Sequence, residues 1–121
     1  MNLPKRVSIS MQDIMQKIDA YDIYKYYYGD FTINVPCKSP FHKDNNPSFC
    51  IYVKEGKMMY VDYSDMTYRG SSFDFVCQLY QLTLKDAVEK IAKDFGIIDV
   101  NGEESDRYKK VTSSYTKPYI D

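Results

Sequence analysis

The stretch Ser39-Pro40-Phe41-His42-Lys43-Asp44-Asn45-Asn46-Pro47-Ser48-Phe49 constrains this chain more than any other. Pro40 and Pro47 each hold φ at about −65° and remove a backbone donor, while Asp44, Asn45 and Asn46 favour turns by hydrogen-bonding their own backbone. The result is a rigid loop. It hands over to Phe49-Cys50-Ile51-Tyr52-Val53, whose β-branched and aromatic residues suit a strand. Glu55-Gly56 reads as a tight turn, and 57–63 as the return strand of a hairpin. Upstream, Phe31-Thr32-Ile33-Asn34-Val35 alternates apolar and polar residues until Pro36 ends the run. Three antiparallel strands are therefore expected, over 31–35, 49–53 and 57–63, with 64–69 as a loop.

Helices are expected on both sides of this sheet. Ser10 can cap one over 11–19, with Asp13 three residues on and Met11, Ile14, Met15 and Ile18 at helical spacing. Asp19 or Ala20 opens a second, which carries Tyr21, Tyr24, Tyr26, Tyr27 and Tyr28 and stops at Gly29. Those tyrosines either stack on single-stranded bases or pack against the sheet with their hydroxyls outward. After Gly70, Ser71 or Ser72 caps a helix with Phe73, Val76, Cys77 and Tyr80 on one stripe. Thr83 caps the last, whose apolar face runs from Leu84 to Phe95 before Gly96 ends it. The fold class is α+β: a small three-stranded antiparallel sheet flanked by N-terminal and C-terminal helices. Residues 1–9 read as a loose arm, 10–98 as one domain and 99–121 as a polar linker or tail.

Composition narrows the function classes. The chain has 121 residues and a net charge of −1, and residues 1–98 hold 12 Lys or Arg against 12 Asp or Glu. Bulk charge therefore does not announce a nucleic-acid binder, and any basic surface must come from local segregation. No apolar run approaches the roughly 18 residues of a membrane span. Cys37, Cys50 and Cys77 form no Cys-x-x-Cys pair or disulfide framework. A cytoplasmic protein with reduced thiols is expected. A phosphate-cradling Gly-rich loop, a Ser/His/Asp arrangement and a second histidine are all missing from the sequence, so the chain alone is not expected to be an enzyme.

Ser39-Pro40-Phe41-His42, Asn46-Pro47-Ser48-Phe49, Tyr60-Val61-Asp62-Tyr63-Ser64-Asp65, Gly70, Phe73-Asp74-Phe75-Val76 and Phe95-Gly96-Ile97 follow one another in a familiar order. Over residues 11–98 the chain resembles the zinc-binding domain of DnaG-type bacterial and phage DNA primases. The resemblance implies a zinc-ribbon-like sheet. In that family three cysteines and a histidine hold zinc. Here Ser39, Asp62 and Asp65 stand at the cysteine positions, and His42 alone is kept. Structural zinc prefers a closed set of four N or S donors. Two outcomes are open: Cys37 joins His42, Asp62 and Asp65 as a makeshift set, or the cluster persists as hydrogen bonds, His42 to one aspartate and Ser39 to the other. The expectation is no cofactor, zinc being the alternative.

The resemblance also implies a replication role in which a single-stranded template is bound and delivered to a separate primase catalytic domain. Phage or mobile-element origin suits such a module. The expected DNA contacts are Lys38, Lys43, Lys54, Lys57 and Arg69, converging on one rim of the sheet, with Tyr52, Tyr60 and Tyr63 as stacking surfaces. Expected partners are single-stranded DNA and a primase catalytic domain or replicative helicase, with no membrane. The alternative is a protein-binding module that docks on a replication protein or inhibits it.

Overall fold

The computed structural model describes residues 9–43 and 46–98; residues 1–8, 44–45 and 99–121 lie outside the described residues, and with them the readings of 1–9 as a loose arm, but for Ile9, and of 99–121 as a linker or tail. The chain runs α1 (Met11–Met15), α2 (Ala20–Tyr27), β1 (Phe49–Lys54), β2 (Lys57–Asp62), β3 (Arg69–Ser71), α3 (Ser72–Tyr80) and α4 (Leu84–Asp94). Ser10 and Asp13 cap α1 reciprocally: Asp13 N donates to Ser10 Oγ at 3.2 Å, and Ser10 N to Asp13 Oδ2 at 2.9 Å. This helix is shorter than the expected 11–19. Asp19 and Asp22 form a second capping box of the same kind, which restarts the helix as α2 nine residues after the first cap. Little more than one turn fits between them.

The sheet is three-stranded and antiparallel in the order β1-β2-β3. Glu55 (φ 52°) and Gly56 (φ 76°) make the two-residue turn whose twist matches the flanking strands. This turn sets the register, Lys54 opposite Lys57 through to Phe49 opposite Asp62. The third strand is not the expected one. Asn34 takes a left-handed φ of 67°, which breaks the extended run at 31–35, and Val35 N donates to Thr32 O at 3.2 Å across a turn. The segment still covers the edge of β1, through Asn34 N to Ile51 O at 2.8 Å and a bridge between Cys37 and Phe49. Its place as third strand is taken by Arg69–Ser71, read from sequence as the end of a loop and the start of a helix cap. Three residues are too few to leave an alternation signal.

Alternation along the hairpin sorts the side chains. Phe49, Ile51, Met58 and Tyr60 point inward, where they form one core with Tyr24 of α2 and Phe75 of α3. A second core lies among the helices, built on Ile14, Ile23, Val76, Ile91 and Ile97. Helix α3 serves both. The tyrosines of α2 pack rather than stand free: Tyr24 is buried, Tyr21, Tyr27 and Tyr28 are half-buried, and Tyr26 stays exposed. Their hydroxyls find acceptors at the rim, Tyr28 on Lys38 O at 2.7 Å and Tyr27 on Asp94 Oδ2 at 2.6 Å. No helix among the described residues is long and apolar enough to cross a membrane.

Gly70, the middle residue of β3, takes φ 146°, and a Cβ there would lie 2.5 Å from Asp74 Oδ2, the carboxylate that completes the cap of α3. Gly70→Ala therefore meets both backbone strain and a clash with a cap. It is expected to cost roughly 1–3 kcal/mol in a urea melt; an unchanged midpoint would contradict this geometry.

Candidate nucleic-acid interface

Asp62 ends β2 pointing inward and is fully buried. His42 Nε2 lies 2.7 Å from its Oδ2. A carboxylate only accepts, so Nε2 carries the proton. Ser64 Oγ is 2.6 Å from Asp62 Oδ1 and 2.9 Å from His42 Nε2, so its hydroxyl donates to the carboxylate and accepts from the ring. Ser64 N adds a hydrogen bond to Oδ1 at 2.9 Å, and the Ser39 hydroxyl also donates to Asp62. Burial by itself raises the carboxyl pKa, but the hydrogen bonds from Ser39, Ser64 and His42 outweigh it and hold the group well below the usual carboxylate range.

His42 and Ser39 thus converge on one aspartate, where the sequence reading gave each its own. Asp65 is engaged elsewhere: it accepts from Thr67 N at 3.1 Å and Thr67 Oγ1 at 2.6 Å. Cys37 directs its thiol to Phe49 O at 3.4 Å, beside the sheet core. Among the described residues, Cys37, His42, Asp62 and Asp65 are not gathered into a metal-binding group. The donors at hand, one imidazole and one carboxylate bonded to each other plus hydroxyls, do not fit the closed N/S tetrahedron of structural zinc. Nor is this a nucleophilic triad, since Asp62 and Ser64 share the same ring nitrogen instead of flanking the ring.

The cations follow a different geometry from the expected single rim. Directly opposed residues share a sheet face, so Lys54–Lys57, Tyr52–Met59–Ser71 and Cys50–Val61–Arg69 form successive rows on the face away from the core. The loops at the open end of a hairpin lie a strand's length from its turn. Arg69 is accordingly about 13 Å along the strand from Lys57, counting four residues at ~3.3 Å each. Lys43 neighbours His42 at that same open end. Lys38, exposed, lends its carbonyl to Tyr28. The expected rim is a track. Tyr63 is 63% exposed just beyond β2. Tyr60 is not a surface residue: it pairs with Ile51, faces inward, is fully buried, and gives its hydroxyl to Gln78.

Sequence reasoning missed Ser64, whose role requires the loop at 42 and the end of β2 to meet in space. Its one local signal is a serine two residues after an aspartate, a turn-forming pair.

Fold and site together define a helix-flanked three-stranded ribbon with a polar cluster where a strand end meets the loop before β1. The CHC2 zinc finger model, the zinc ribbon of DnaG, matches residues 8–108. The chain belongs to that family. It is 30% identical over 80 residues to a DNA primase of Buchnera aphidicola subsp. Baizongia pistaciae, a match covering 63% of this chain and 13% of that protein. The chain thus corresponds to a small part of that relative's length. No solved structure matches it.

Proposed function

We propose that the chain is the template-reading module of a DNA primase system, holding single-stranded DNA along the face of its sheet turned away from the aromatic core, which is exposed at Lys54, Lys57 and Arg69 and buried at Cys50 and Val61, for a catalytic domain that lies elsewhere. The observation that carries this is Lys54 directly opposite Lys57 on that face. Like charges so placed destabilise a hairpin, and a phosphate between them relieves the repulsion. Tyr52 stands on the same sheet face as Lys54 and Lys57, Tyr63 is exposed just beyond β2, and Arg69 extends the positive track toward the loop end of the hairpin. Membership of the primase zinc-finger family supports the same reading. This reading uses no metal, since at the family's ligand positions Ser39 and His42 bond to Asp62, and Asp65 bonds to Thr67.

Replacing Lys54 and Lys57 together with alanine is expected to weaken binding across sequences. It should also flatten the slope of log K against log salt by about 1.4, since each cation on single-stranded DNA releases about 0.7 counterion. Tyr52→Ala should weaken binding by roughly 1–3 kcal/mol and leave the slope alone. Titration of a labelled oligonucleotide at several salt concentrations checks both, and a double variant that keeps the parent slope counts against this face.

A second reading, docking on a primase catalytic domain or replicative helicase, is favoured by one surface. Tyr26 and Tyr80 are exposed, Tyr26 against Phe95 and Tyr80 against Tyr27, and Lys25 and Lys90 are paired with Asp30 and Asp94. DNA-independent capture of a purified helicase or catalytic domain, lost in Tyr26→Ala, would establish it.

A further inference from the structure

The family is named for a zinc site, and this chain's residues at the corresponding place do not fit one. We infer that a hydrogen-bonded latch centred on Asp62 replaces the ion here, fastening the loop 39–43 to the end of β2 without metal.

The stoichiometry of the cluster carries the inference. A carboxylate offers about four acceptor sites. Four donors reach Asp62: His42 Nε2–H, the Ser39 hydroxyl, the Ser64 hydroxyl and Ser64 N–H. Its capacity is filled, so a cation would have to displace bonds that are already made. The ring nitrogen facing the carboxylate is the protonated one, and a metal would need it bare. Ser48 Oγ stands 3.3 Å from Ser64 Oγ, which ties the residue before β1 into the same network.

The latch also has the right span. Ser39 and His42 lie on the loop before β1, Asp62 ends β2, and Ser64 follows it, so one acceptor joins segments that are 20 or more positions apart in sequence. A zinc ion held by the same four positions would make the same cross-link, with thiolates where this chain has Ser39, Asp62 and Asp65. Between Ser39 and His42, Phe41 stacks on Tyr68 with ring centroids 4.3 Å apart and planes 7° from parallel. The loop is thereby seated by an apolar contact on one side and by Asp62 on the other. Burial of Asp62 strengthens each of its hydrogen bonds, since little water competes for them.

The inference is independent of DNA binding, and its test involves no DNA. The full chain would be purified without added metal, its zinc content measured by elemental analysis, and its melting followed with and without a strong chelator. Amide exchange at residues 39–43 and 62–64 would then be compared between the parent and Asp62→Asn. The latch predicts far less than one zinc per chain, a melting midpoint indifferent to the chelator, and exchange in those segments faster by about tenfold or more in the variant, as for losing a hydrogen bond to a charged group. If Asp62→Asn does not fold, Ser64→Ala removes one donor at an exposed position and should speed the same amides to a smaller degree. Stoichiometric zinc with chelator-induced unfolding would overturn the inference. So would exchange at 39–43 that neither variant alters.

Discussion

Phe75→Ala is expected to destabilise the domain by roughly 3–5 kcal/mol, the cost of truncating a fully enclosed aromatic ring. Phe75 has no exposed surface, and its ring lies 5.2–5.7 Å, centroid to centroid, from Tyr60, Tyr24, Phe41 and Phe49. Those rings come from β2, α2, the loop before β1, and β1. Removing Phe75 therefore leaves a cavity where four segments meet, and none of them can close it without breaking its own register. Truncating Phe41, half-buried and stacked on Tyr68, should cost less. Chemical denaturation of both variants checks the order, and equal midpoints would show that the sheet core is not organised around Phe75.

Asp62→Ala is the second large effect. Removing the carboxylate leaves the Ser39, His42 and Ser64 donors without their acceptor, and because His42 is 30% exposed and can turn to water the expected cost is about 2–3 kcal/mol, in the range for losing hydrogen bonds to a charged group. The same residue sets an acid limb. Its folded pKa lies below the unfolded value, so the stabilisation is fully present above the ordinary carboxylate pKa of about 3.9 and is lost as pH falls below it. The parent melting midpoint should therefore drop in acid below about pH 4, and Asp62→Ala should show less of that drop. Parallel melts from neutral pH downward check this. Identical acid limbs in parent and variant would mean that another carboxylate controls them.

What the sequence discloses about this domain is what is local. The caps at Ser10 and Thr83, the stops at Gly29 and Gly96, and the hairpin turn at Glu55-Gly56 each rest on residues within four positions of one another, and each stands as read. The errors arise where tertiary structure decides. Phe31–Val35 has the period of a strand, yet one left-handed residue, Asn34, turns it into an edge cover. Arg69–Ser71 is a strand because β2 offers it a partner, through Met59 to Val61. The burial of Tyr60 was within reach: a two-residue turn at 55–56 fixes the pairing of 51 with 60, and hence the inward parity of both. The meeting of Ser39, His42 and Ser64 on one carboxylate was not: sequence reasoning assigns His42 and Ser39 separate aspartates and Ser64 no role, since only the folded loop brings them together.

The central claim is that the sheet face carrying Lys54, Lys57 and Arg69 holds single-stranded DNA. The most direct measurement is fluorescence anisotropy of a labelled single-stranded oligonucleotide with the unaltered protein over a range of salt concentrations. Lys54, Lys57 and Arg69 acting together predict binding at low salt and a slope of log K against log salt of about −2, from about 0.7 counterion per cation. No binding at low salt, or binding indifferent to salt, would contradict the account.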